Sequence, residues 1–474
     1  MDKEYTGEWF LHGNENLIPG KLKIDEESKS INLELYTDVY LTGELINFKI
    51  RDNETRHFNI ILGNNPWIIT LYNCNWSRTE RIGKSLYKLE YYVEFAFFNA
   101  HIKDTFLINK LEVVFPFLPS FFDGWQSIKQ KEVNKESISY SDYSEITEEI
   151  QFRQIDRFFK SKINFSDGTY DLRYKKSLEF YFPQEMGIRN VFNILFKFSR
   201  FLSFTTNEEM FYKIQTVYLN KNHASKINER LVVKGEDVPL IVHNFSAHKS
   251  GDVNKKELHQ NMMLFSAWTF DKNQIQEFII HWYKNENMQH IYDFYLDAIN
   301  WFKGKGVGIS NVMFNNKFLN LIQGLESYYD LLDLVYQANN DEFTQNRQKV
   351  LTVLKDEDLK DWFLDNVKFP KEATLKYKLE ILRDKFSEIF ENVEGLDNLI
   401  NEYPHKAKEY RHKLSHGNIN RTFQGEEFHT MYEFSKILLC FCILESLGFN
   451  NNQIKRVCRN HYYLNDSFAM LLRE

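Results

Sequence analysis

The chain has 474 residues, with 43% hydrophobic and 26% charged residues, 16% aromatics and a formal net charge of −7. That length is enough for two or three folded domains, and so many aromatics exclude disorder over most of it. The negative balance excludes a protein that coats nucleic acid over its whole surface, so any nucleic-acid contact needs a local basic patch.

The N-terminus, from Met1 to Phe10, is polar and acidic rather than basic then apolar, so no secretion signal is expected. The longest apolar run, Ile437–Leu444, falls far short of the ~20 residues that span a bilayer. Cys74, Cys440, Cys442 and Cys458 are too few and too unevenly spaced for a disulfide framework or a zinc site. A cytoplasmic location with no membrane, metal or cofactor is the expectation.

From about residue 20 to 115, apolar and polar residues alternate. Ile31, Leu33 and Leu35 flank Asn32 and Glu34, and the same period recurs in 44–51, 56–62, 67–74, 86–98 and 105–115. Turn residues such as Gly43, Asp52-Asn53 and Gly63-Asn64-Asn65 separate these runs, which predicts antiparallel strands in a sandwich or barrel-like sheet. Residues 119–145 are polar and read as a surface connection. Strand character returns at 146–165, 171–182, 211–219 and 231–242, around a helix over 191–204.

After about residue 254 the period becomes helical. Leu258, Met262, Met263, Phe265 and Ser266 form one face, Ile275, Phe278, Ile279 and Trp282 a second, and 291–302 a third. Gly304-Lys305-Gly306-Val307-Gly308 has no strand before it and no Gly-Lys-Ser/Thr, so it reads as a hinge rather than a phosphate loop. From Asn316 onward nearly everything is helical, with apolar stripes over 318–335, 375–386 and 434–447, as in a bundle. The fold class is therefore α+β, with a β-rich region of antiparallel sheets ahead of an all-α bundle. The expected divisions are 1–145, 146–303 and 312–474, although the pattern leaves open whether 1–303 is one domain or two.

Chemistry concentrates in 396–418. Pro404 suits the first turn of a helix with Asn401 as cap, Ala407, Tyr410 and Leu414 share a face, and Gly417-Asn418 stop it. His405, Lys406, Lys408, Arg411, His412, Lys413, His416 and Arg421 make a basic island against Glu402 and Glu409. Arg411 and His416 form an Arg-x4-His pattern, but so do Arg456 and His461, which lack a helix-ending glycine. On an ideal helix, residues five apart diverge by about 140°. A site using both Arg411 and His416 therefore calls for a loosened helix end or a second chain.

This stretch, Arg411-His412-Lys413-Leu414-Ser415-His416, resembles the motif of HEPN domains, with Arg411, His412 and His416 at the matching positions. Further upstream, Gly7-Glu8-Trp9-Phe10, Pro19-Gly20-Lys21-Leu22 and 31–35, with helical landmarks at 278–282, 318–326 and 379–386, resemble the ApeA family of bacterial anti-phage proteins of the abortive-infection type. The resemblance implies a metal-independent endoribonuclease in which the ribose 2′-hydroxyl attacks the adjacent phosphate, leaving a cyclic phosphate. His416 would move protons, Arg411 would hold charge on the phosphate, and His412 would assist. Glu326, on an otherwise apolar helix face, is expected to pair with Arg411 or orient a histidine, or else to face water; Ser415 is a further supporting candidate. Lys406, Lys408, Lys413 and Arg421 are candidate RNA contacts. The implied partners are host RNA, with transfer RNA one target, an unidentified phage trigger sensed by the N-terminal region, and a second copy through the helical domain. The competing reading is a catalytically silent HEPN scaffold that binds RNA or protein, against which stands the retention of both Arg411 and His416.

Overall fold

The computed structural model describes residues 3–11, 17–28, 30–38, 57–64, 68–102, 106–123, 137–163, 170–231, 235–244, 258–299, 311–332, 340–366, 373–390, 397–415, 426–462 and 464. The expected strand at 44–51, the hinge at 304–308 and the stop at Gly417-Asn418 lie outside these residues.

The chain divides into two compact units, 1–260 with 265–283, and 261–264 with 284–474. In the first, β1 (Lys3–Leu11), β2 (Ile18–Asp25), β3 (Ser30–Asp38), β4 (His57–Asn64), β5 (Ile69–Arg81) and β6 (Leu86–Phe98) carry the alternating runs. They pair antiparallel in the order β6-β3-β2-β1-β4-β5, and β5 pairs back onto β6, closing a six-stranded barrel. Alternation then sends every second side chain inward. Leu22, Ile24, Leu33, Leu35, Leu71, Leu89, Tyr91 and Val93 form the barrel core around Trp9. Gly20 and Gly63 leave room for that indole: a Cβ on Gly20 would lie 2.8 Å from Trp9 Cδ1, and one on Gly63 would overlap the six-membered ring.

β6 is shared. Residues 86–92 pair with β3, and Phe95–Phe98 pair instead with β15 (Asp237–Asn244). From there the sheet runs through β13 (Lys213–Asn220), β8 (Leu107–Val114), β12 (Tyr170–Gly187) and β11 (Ile150–Ile163), which β10 (Ser144–Thr147) and β9 (Ser137–Tyr140) flank. A separate two-stranded pair joins β7 (Ala100–Ile102) to β14 (Ala224–Ile227). The expected boundary at residue 145 is corrected by this interleaving. β8 precedes it, yet hydrogen-bonds β12 and β13 on its two sides, so dividing the chain there would orphan both ladders. The supposed connection 119–145 likewise contains the short helix α1 (Leu118–Phe122) and strand β9. α2 (Ile188–Thr206) covers one face of the sheet, where Phe198 meets Phe115, Phe152 and Phe180. The helical face expected over 258–266 is a 3-10 turn, Gln260–Met262, followed by irregular chain. α3 (Lys272–Lys284) then follows, with Trp282 Nε1 donating to Lys197 O at 2.9 Å.

The second unit is helical: α4 (Gln289–Ile299), α5 (Asn311–Leu331), α6 (Asn340–Val353), α7 (Glu357–Asn366), α8 (Leu375–Lys385), α9 (Ser387–Phe390), α10 (Asp397–Ser415), α11 (Glu426–Ser446) and α12 (Asn451–Asn460). α11 is its axis, with every residue from Phe428 to Leu444 but Lys436 and His429 buried. Gly324 lets α5 approach α11 closely, since a Cβ there would lie 2.7 Å from Leu439 Cδ2. Among the described residues, no helix is long and apolar enough to cross a membrane.

Candidate functional site

α10 packs on α5, α8 and α11 through Tyr403, Pro404, Ala407 and Leu414, all buried, with Tyr410 partly so. This is one stripe at helical spacing. Tyr403 packs against Phe434 with ring centres 4.4 Å apart and planes tilted by 49°, and it shares a 2.8 Å hydrogen bond with Ser435 of α11. Pro404 does not start the helix, as its type suggested; the helix begins at Asp397, and Pro404 lies inside it. A proline removes the bond to the carbonyl four residues back. That carbonyl, Ile400 O, accepts instead from Arg383 Nη1 of α8 at 3.5 Å, which gives the interior proline its compensation.

With that stripe fixed, Arg411 faces outward near the C-terminal end of α10, 46% exposed as a side chain, and its Nη2 reaches Glu326 Oε2 of α5 at 3.4 Å. The contact is a loose, monodentate ion pair. It restrains the guanidinium's direction while leaving most of its donors facing solvent. One turn back, Lys406 sits between Glu402 at 2.6 Å and Glu427 at 2.8 Å, and those carboxylates, Glu402 first, raise its pKa. Glu427 also accepts from Tyr410 Oη at 2.6 Å, and Lys406 and then Tyr410 hold its own pKa down. Lys413 Nζ lies 5.7 Å from the Tyr410 ring centre and 3.9 Å from Glu409.

Of the residues singled out in the sequence, the structure brings Arg411 to Glu326, and Lys406 and Lys413 to carboxylates. It leaves Lys408, His412 and Ser415 on the exposed side of α10. His416 and Arg421 lie outside the described residues. Sequence reasoning missed Glu427. An acidic residue in the first turn of an apolar helix reads as a simple complement to the helix dipole, and nothing in its spacing announces Tyr410 and Lys406 as partners. The second Arg-x4-His match is different in kind. His461 is 2% exposed and its Nδ1 accepts from Leu464 N at 3.2 Å; burial lowers its pKa to about 4. The cysteines are buried, and burial pushes Cys440 up to about 12, so none is a reactive thiolate.

Arg411, near the end of one helix and set against Glu326 of another, lies in a helical bundle whose class a family model identifies as HEPN. A family model described as Apea-like HEPN matches residues 319–453, which include Glu326 and all of 411–416. The particular family follows from the other unit: a model described as ApeA N-terminal domain 1 matches residues 4–282, more than half of the chain. The chain belongs to the ApeA-like family of defence-associated proteins with a C-terminal HEPN domain. No curated protein and no solved structure matches it.

Proposed function

We propose that the chain is an anti-phage effector whose HEPN domain is a metal-independent endoribonuclease, acting in the cytoplasm as a homodimer to cut host RNA, transfer RNA among it, and abort infection. The ribose 2′-oxygen forms a bond to the adjacent phosphorus while the bond to the 5′-oxygen breaks, leaving a 2′,3′-cyclic phosphate and a 5′-hydroxyl. His416 carries protons in this scheme, and His412 assists or orients the phosphate. Arg411 stabilises the charge that builds on the phosphorus-bound oxygens, a role suited to a group that is always charged and offers a planar fork of donors. Glu326 sets the direction of that fork, Ser415 supports the phosphate side, and Lys408, Lys413 and Arg421 lie along the RNA path, with Lys406 behind its carboxylates. The N-terminal unit senses or regulates. The observation that carries this reading is Arg411 held by Glu326 within a matched HEPN bundle.

The test is cleavage of RNA by the purified chain in excess EDTA. The wild type is expected to leave cyclic-phosphate ends. Arg411→Ala and His416→Ala are each expected to cut at least about 100-fold more slowly. Glu326→Gln is expected to lose about tenfold through misplacement of Arg411, without a change in melting, because an exposed ion pair contributes only about 0–1 kcal/mol. Wild-type rates in both Arg411→Ala and His416→Ala, or dependence on a metal, would sink the proposal.

A further inference from the structure

α6 and α7 lie between α5 and α8 in the chain, and their apolar side chains do not all find cover within it. Val350 and Val353 share one face of α6, and Leu359 and Trp362 share one face of α7, at i and i+3 in each case. Val353 is 76% exposed, Trp362 61% and Leu359 52%, and Leu364 is also open. An amphipathic helix in a folded domain normally buries such a stripe, and contiguous apolar patches larger than roughly a few hundred Å² mark docking surfaces.

The charges beside the stripes say what docks. Arg347 and Lys349 flank Val350 and Val353 on α6, one turn or less away. On α7, Asp358, Asp361 and Asp365 flank Leu359 and Trp362, while Lys360 is taken by Glu357 at 2.6 Å. One helix thus has a cationic rim and the other an anionic rim. Arg347 Nη2 also donates to Leu364 O at 3.4 Å, joining the two helices within the chain. A two-fold axis that lays α6 of one copy on α7 of another pairs apolar stripe with apolar stripe and cationic rim with anionic rim, twice over. The product gathers four helices around one apolar seam, the arrangement of a four-helix bundle. A nucleic acid fits poorly, because Trp362, the most exposed aromatic group among the described residues, is bordered by aspartates.

We propose that the α6–α7 arm is a self-association surface, occupied by the same arm of a second copy of this chain. The surface deepens the two-chain reading above and does not need the chain to cut RNA. Sedimentation velocity of the purified full chain at micromolar concentration tests it. The wild type is expected to have the mass of a dimer. Trp362→Glu and Val353→Glu are expected to be monomers with unchanged circular dichroism, since both side chains are more than half exposed within one copy. A charge-swap experiment adds a readout that lost hydrophobicity alone does not give. A chain with Arg347→Glu and Lys349→Glu, and another with Asp358→Lys and Asp361→Lys, are each expected to be monomeric alone and to form a dimer on mixing. If the wild type is dimeric and both Trp362→Glu and Val353→Glu stay dimeric, the arm is not the surface, although a two-chain site survives. A mixture of the charge-swapped chains that stays monomeric overturns the arm pairing as well. A monomeric wild type overturns the arm and the two-chain site together. RNA cleavage by the same samples reports on the nuclease reading separately.

Discussion

Two Arg-x4-His stretches lie in one helical unit, and surroundings rather than spacing divide them. Arg411 is open and directed by Glu326, whereas His461 is sealed into the core with its Nδ1 accepting a backbone N–H. An acceptor nitrogen cannot carry a proton, and burial disfavours the charged ring, so both effects agree with its pKa of about 4. The consequence is a pH dependence of stability. Above its ordinary pKa of 6.5 neither the folded nor the unfolded chain protonates this ring. As the pH falls from 6.5 to about 4, the unfolded chain takes up the proton and the folded one does not, so stability is lost across that window. The full loss is on the order of 3 kcal/mol. His461→Gln should flatten this dependence: urea unfolding of the helical unit at pH 7 and pH 5 should differ less for the variant than for the wild type. Equal losses in both would show that His461 does not titrate as described. The sequence separated the two stretches by the glycine after His416 and by the apolar Val457 after Arg456, where His412 follows Arg411. Burial of His461 depends on neighbours distant in the chain, which local spacing does not report.

At the scale of elements, period-two alternation placed several strands well, because it records which side chains point inward, although the strand expected over 231–242 is Asp237–Asn244. The run 86–98 is β6 itself, and 56–62 and 105–115 lie within a residue or two of β4 and β8. Barrel closure was not legible. It depends on β1 meeting β4 and β5 meeting β6, and pairing partners leave no mark in either strand's own pattern. Helix α10 began seven residues before Pro404 for a similar reason, since the compensating Arg383 lies on another helix. The short segments that carried the family resemblance gain a physical basis, however: Trp9 and Gly20 face each other inside the barrel, with Gly63 on the other side of the indole. Gly63→Ala should therefore push a methyl group into Trp9 and destabilise the barrel by about 1–3 kcal/mol, the usual range for overpacking. Denaturation followed by tryptophan emission would measure it. A companion Trp9→Leu, which empties that space, should remove most of the penalty of Gly63→Ala; an unchanged penalty would place the strain elsewhere.

Across the whole molecule, an acidic chain gathers a local basic cluster on α10 and pairs several of its members with carboxylates, Glu326 for Arg411 and Glu402 with Glu427 for Lys406. At α10 a single copy thus has part of its positive charge opposed, and a second α10 beside it would enlarge the cationic surface, which is a reason to expect two copies at the working site. Helix geometry gives a second reason, because an ideal α10 continued to residue 416 would turn it about 140° away from Arg411. If cleavage draws on groups from both chains, a dead chain that still pairs must poison a live one. Full-length Arg411→Ala/His416→Ala, which can lend neither group to a partner, equilibrated with the wild type in about ninefold excess, would leave about one wild-type chain in ten paired with another wild type. Cleavage per wild-type chain should then fall about tenfold. Trp362→Glu in the same dead chain should abolish the inhibition, because that chain no longer exchanges into the dimer. Rates that stay constant under the excess would mean that each chain cuts alone, and inhibition that survives Trp362→Glu would mean that competition for RNA, not pairing, causes it.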